Sequence, residues 1–185
     1  MVQAKFDPAL ALKFDLDRGT VSQAGAGARV ILPVEVLAKL IEATNAEATR
    51  DAGHHLGAEL GRRVLTSLGD DASGAAPEAV LEHLGGELAL LGFGSLHFER
   101  WGQALVFVVQ DGALPPAADD FVAAIFDGAL LRLFGKNTRA VRLAREDGQA
   151  RYLISSSSAA DRVAGWLSAG VPWGEALTRL QGARA

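Results

Sequence analysis

Two hydrophobic periods alternate along this chain, one of two residues and one of three to four. Leu12, Phe14 and Leu16 alternate with polar residues, the period of a strand, and Asp17-Arg18-Gly19 reads as a turn. Ala24 to Ala28 reads as a flexible loop before a second strand, Arg29-Val30-Ile31-Leu32. The first 32 residues therefore predict a β-arm or hairpin. Pro33 fits the first turn of a helix, and Leu37, Leu40, Ile41, Thr44 and Ala48 recur at helical spacing. A second helical stretch runs through Leu56, Leu60, Val64 and Leu68, with Gly53 bending or dividing the two. After a loop at Gly69–Gly74, Pro77 opens a helix with Leu81, Leu84, Leu88 and Leu91 on one face.

The period then shortens. Leu96 and Phe98 alternate with His97 and Glu99, Gly102 marks a turn, and Leu105 to Val109 is apolar on both faces, which predicts a central strand. Residues 120–135 are helical and apolar over a wide arc, so this helix is expected to be buried on more than one side. Val141 to Ile154 reads as a second hairpin around Glu146-Asp147-Gly148. Ser158-Ala159-Ala160-Asp161 has the capping-box pattern and opens a helix through Trp166, and Pro172 starts a last helix through Leu180. Two hairpins separated by a helix predict an α+β fold, a four-stranded antiparallel sheet packed by helices. The organisation expected is an N-terminal β-arm over 1–32, an α+β core over 33–155 and a C-terminal helix pair over 156–185.

Within the long helix stands a glycine ladder, Gly53, Gly57 and Gly61. Glycines four apart share one helix stripe, where a missing Cβ lets another backbone come close. Each costs about 1 kcal/mol relative to Ala, which only tight packing repays. The ladder is therefore expected to be a helix-packing or dimer interface.

Composition narrows the function classes. The formal charge is −4. Residues 139–185 carry +3 and the remainder −7, and the arginines of that last stretch are spread over several elements, so no nucleic-acid surface is expected. The chain has no cysteine, which removes disulfides, thiolate metal sites and thiol catalysis. Met1 to Pro8 has no apolar run of a signal peptide, and no stretch approaches a membrane span. Abundant Ala, Gly, Leu and Arg with little Lys suggest a high-GC bacterial gene, and the expected location is the cytoplasm.

No catalytic set is legible. His55 and Glu59 are four apart but lack a third metal ligand in sequence, so no metal is expected. Gly92-Phe93-Gly94 precedes a strand rather than the helix a phosphate cradle needs. Ser155 to Ser158 reads as a strand end and helix cap, and Asp119 and Asp120 as acids favoured at a helix N-terminus, with Asp127 further along the same helix. His97, Glu99 and Trp101 share one strand face, and Trp166 and Trp173 flank Gly170; these five are the candidate partner or ligand surface. No cofactor is expected.

The order of these pieces resembles the 4-vinyl reductase-type domain, which is related to the small subunits of the TRAPP vesicle-tethering complex. The resemblance runs from about Val36 to Ser155. It rests on Gly53-x3-Gly57-x3-Gly61, on Leu91-Gly92-Phe93-Gly94 before the first hairpin, and on Phe121 to Leu130 before the second. It implies dimers that act as scaffolds or small-ligand sensors. Many members carry cysteines in the last hairpin, and this chain carries none there. A fainter likeness, over Gly57 to Val64, Leu91 to Val109 and Phe121 to Phe134, is to the ring-forming subunit of cellulose synthase, which implies a closed oligomer that guides glucan chains. The function expected first is a non-enzymatic homodimeric scaffold or protein-interaction module with an unidentified protein partner. The alternatives are a regulatory domain sensing a small apolar ligand, and a ring subunit of cellulose synthesis and export.

Overall fold

The computed structural model describes residues 12–23, 27–69 and 75–182 of the 185. Positions 24–26 and 70–74 of the two predicted loops lie outside them, as do residues 1–11 and 183–185. The N-terminal arm is a three-stranded antiparallel sheet, β1 (Leu12–Asp15), β2 (Thr20–Gln23) and β3 (Gly27–Arg29), in that order. It has one strand more than the hydrophobic pattern predicts. Thr20, Ser22 and Gln23 are polar, so β2 carries no apolar alternation to announce it. Val30 to Leu32 leave the sheet and run exposed toward Pro33.

Helices α1 (Val34–Glu42) and α2 (Ala46–Leu68) follow. They divide at Ala43–Asn45 and not at Gly53. Asn45 caps α2, its side-chain oxygen accepting the Ala48 N–H at 2.9 Å. After α3 (Pro77–Leu90) come β4 (Ser95–Trp101) and β5 (Ala104–Gln110), then a single 3-10 turn leading into α4 (Asp119–Phe134). The second hairpin is β6 (Arg139–Glu146) and β7 (Gln149–Ser155), followed by α5 (Ser157–Ser168) and α6 (Trp173–Gly182). The predicted capping box is not used: Ser156 stands at the cap of α5 without a side-chain bond to the helix backbone, its Oγ meeting Ser158 Oγ at 3.4 Å, and Asp161 turns instead to Arg139 at 3.0 Å.

The two hairpins join through β5 and β7 into one antiparallel sheet of order β4-β5-β7-β6, giving an α+β fold with a β-arm and a C-terminal helix pair. Each face of β5 is buried. Phe107 and Val109 pack into the core under α4, and Val106 and Val108 pack into a second core under α5 and α6. Phe126 of α4 stands edge-on to Phe107 (centroids 5.1 Å apart) and to Tyr152 (5.4 Å). Among the described residues no helix is long and apolar enough to cross a membrane.

The glycine ladder packs against α4 of the same chain. A Cβ on Gly57 would collide with the carbonyl oxygen of Ile125, and one on Gly61 would stand 2.9 Å from that of Ala129. The approach is reciprocal, because a Cβ on Gly128 of α4 would strike the His54 carbonyl. Gly57→Ala is expected to lower the unfolding free energy by about 1–3 kcal/mol. Gly165→Ala, in α5 with open space around the missing Cβ, is expected to raise it by about 0.5–1 kcal/mol. Urea denaturation of both variants checks this, and effects of equal sign would contradict the packing.

Candidate functional site

With Gly53, Gly57 and Gly61 held against α4, the turn of about 100° per residue carries Leu56, Leu60, Arg63 and Ser67 onto the next flank of α2. There α3 meets them. Glu87 receives the Arg63 Nη2 group in an ion pair, and one turn away His83 Nδ1 lies 3.3 Å from Ser67 Oγ. The arm closes the seam: Gln23 of β2 donates from Nε2 to the same Glu87 oxygen at 3.2 Å, and its own oxygen accepts from Arg29 Nε at 2.8 Å. Arg63 and Glu87 are each 5% exposed, His83 6% and Gln23 4%.

A buried ion pair recovers its desolvation cost only when its remaining hydrogen bonds are made. Here they are not all made: Arg63 Nε and Nη1 are sealed from solvent and have no acceptor among the described residues. An unsatisfied donor pair of this kind is rare in a folded interior. It can receive an oxygen atom. The sequence reading passed over these residues, although the signal was present. Arg63 and Ser67 repeat at the spacing of Leu60 and Val64, and His83 and Glu87 at that of Leu84 and Leu88, so each polar pair runs beside an apolar stripe that helical packing buries.

Of the five residues expected to form a surface site, the structure brings three together. Trp101 Nε1 donates to Glu99 at 2.8 Å, and the Trp101 and Trp173 rings meet edge-to-face at 4.9 Å. Arg151 joins them, 3.8 Å from Glu99 and 5.8 Å above the Trp173 ring. Gln181 of α6 donates to the Trp101 carbonyl at 2.6 Å. His97 stays exposed further along β4, and Trp166 packs half-buried into the outer core. Beside the Trp101 cluster, a recess of about 420 Å³ opens between Ala104, Leu153 and Leu180. Among the described residues, no group of three or more acidic, His or Cys side chains is placed to hold a metal.

Asp119, at the start of α4, ties that helix to the second hairpin. Its buried carboxylate accepts from Tyr152 O–H at 3.0 Å and from Arg145 Nε at 3.2 Å, with Arg142 Nε 3.6 Å away. Residues 142 and 145 would ordinarily point to opposite faces. The irregularity between Arg142 and Ala144 inserts one residue and turns both toward Asp119. Burial, together with the Asp119 carboxylate, pushes the Tyr152 phenol well above its ordinary range.

Further along α4, Asp127 accepts the Ala140 N–H at 2.6 Å. It lines a polar cleft of about 630 Å³ with Arg50, Asp51, His54, Asp120, Arg139 and Arg142. Burial pushes its pKa up to about 6, against the pull of the Ala140 N–H and of Arg139 and Arg50. The folded state thus holds this proton more tightly than the unfolded chain. Charged Asp127 costs stability above pH 6, and the cost fades as pH falls toward 4. Asp127→Asn, which keeps an acceptor for Ala140, is expected to raise the melting temperature at pH 8 and to match the wild type near pH 4. A difference independent of pH would contradict the assignment.

No protein-family model matches the chain, and no curated protein matches it. Among solved structures it is similar to the phenol-responsive sensory domain of the transcription activator PoxR with phenol, at 15% identity and a TM-score of 0.63. The similarity covers 93% of this chain and 92% of that one, so the arm, the sheet and the helices share one fold with it.

Proposed function

We propose that this chain is a non-enzymatic, small-molecule-sensing regulatory domain that works as a homodimer in the bacterial cytoplasm. The observation that carries the reading is the buried Arg63, whose Nε and Nη1 donors lack an acceptor among the described residues. A ligand oxygen completes that set. Glu87 already matches the charge, so a neutral hydroxyl or carbonyl fits better than a carboxylate. Leu60, Val64, Leu84 and Leu88 flank the pair along the two helices, and they suit a ligand that is otherwise apolar. The likeness in fold to a phenol-responsive sensory domain over nearly the full length of both chains supports sensing.

The dimer is proposed at the arm and α1. Leu16 is 87% exposed and Val30 81%, and Phe14, Ile31, Leu32, Val36 and Leu40 are exposed as well. This apolar surface also favours the second reading, a scaffold that holds another protein. The resemblance to the 4-vinyl reductase-type domain and to TRAPP small subunits fits either reading. No metal or acyl-thioester site is proposed in the last hairpin. Where that family often carries cysteines, the hairpin presents Arg142, Arg145 and Tyr152 to Asp119. A ring assembly of the cellulose-export kind would show as a species larger than a dimer.

Thermal unfolding with a panel of neutral phenols, alcohols and ketones tests the site. At least one compound is expected to raise the wild-type melting temperature. Arg63→Met alone leaves Glu87 buried without its partner and is expected to cost about 3–5 kcal/mol. Arg63→Met with Glu87→Met is expected to fold with little loss and to lose the ligand shift. A compound that stabilises the wild type and the double variant equally would place binding elsewhere.

A further inference from the structure

The N-terminal sheet packs mainly on itself, because its strands make their extended contacts with one another. Gln23 is the one buried residue among the described positions of its three strands. It is also a residue with two polar functions, and both are used. Its amide N–H reaches Glu87, and its amide oxygen is held by Arg29, which fixes the orientation of the amide. The amide therefore reaches the Glu87 end of the Arg63–Glu87 pair from the N-terminal sheet. Within its strands the sheet thus enters the charged interior by one buried side chain.

We infer that the N-terminal sheet is a lid over the Arg63–Glu87 pair and that Gln23 is its latch. Withdrawing Gln23 uncovers the guanidinium and admits a ligand, and reinsertion shuts water out. The Arg62 guanidinium holds the Glu59 carboxyl of α2 below its usual range, and Arg29 adds a smaller pull in the same direction, so the sheet carries a cation toward α2. The inference rests on the reading of this pair as a ligand site. The lid itself can be tested without any ligand.

The chain has no cysteine, so two nitroxide labels can be placed without background. Lys13 of β1 and Glu82 of α3 are both exposed, and Lys13→Cys with Glu82→Cys carries the labels. Pulsed electron paramagnetic resonance, with labelled chains diluted in unlabelled protein, reads the distance from the sheet to the helices. The parent is expected to show one dominant short distance. Gln23→Ala removes a bond to a charged group and is expected to enlarge the long-distance population about tenfold. Arg29→Ala is expected to shift it less, in the same direction, and Thr20→Ala, exposed on the same strand, not at all. Unchanged distances in Gln23→Ala, or equal changes in Gln23→Ala and Thr20→Ala, would overturn the latch. A lid that opens while no compound binds would leave the latch standing and remove the sensing reading.

Discussion

The close approach of α2 and α4 is the constraint on which the rest of the structure depends. Backbone meets backbone along Gly53, Gly57 and Gly61 on one helix and at Gly128 on the other. This fixes the rotation of α2 about its own axis. Once the glycine stripe faces α4, helix geometry leaves Arg63 and Ser67 no choice but the flank that meets α3. The buried Arg63–Glu87 pair is thus a consequence of glycines that never touch it. Any side chain added to the stripe separates the helices and changes what Arg63 can reach.

The same helix α4 couples the two ends of the molecule. Its buried arc forms the core against Phe107 and Tyr152, and two of its three carboxylates tie it to the second hairpin. Asp119 gathers Tyr152 and two arginines at the helix start, and Asp127 holds the backbone of β6 two turns later. These are rigid attachments made by acids with matched donors. The seam between α2 and α3 is different in kind, because its guanidinium keeps unmatched donors and its cover comes from a separate sheet.

Much of this architecture was legible in the sequence, because apolar period reports burial. The two hairpins, the doubly buried β5 and the wide arc of α4 followed from it, and the spacing of Trp101 and Glu99 on one strand face foreshadowed their cluster with Trp173. Elements without that signal were not legible. Strand β2 is built from polar residues, and the break between α1 and α2 depends on the cap at Asn45 rather than on a glycine. The buried charges were missed for a related reason: a charged residue is ordinarily read as a solvated face. The apolar stripe beside Arg63 hinted at burial, and the rotation of α2, set by long-range packing, turns it inward. The bulge that turns Arg142 and Arg145 to one carboxylate is likewise a property of paired strands and not of either strand alone.

Native mass spectrometry of the chain purified gently from its own host tests the central claim most directly. The account expects a species of two 19.3 kDa chains, each carrying a small additional mass that the Arg63→Met, Glu87→Met double variant lacks. A dimer at the bare calculated mass, or an added mass that survives in the double variant, would contradict it.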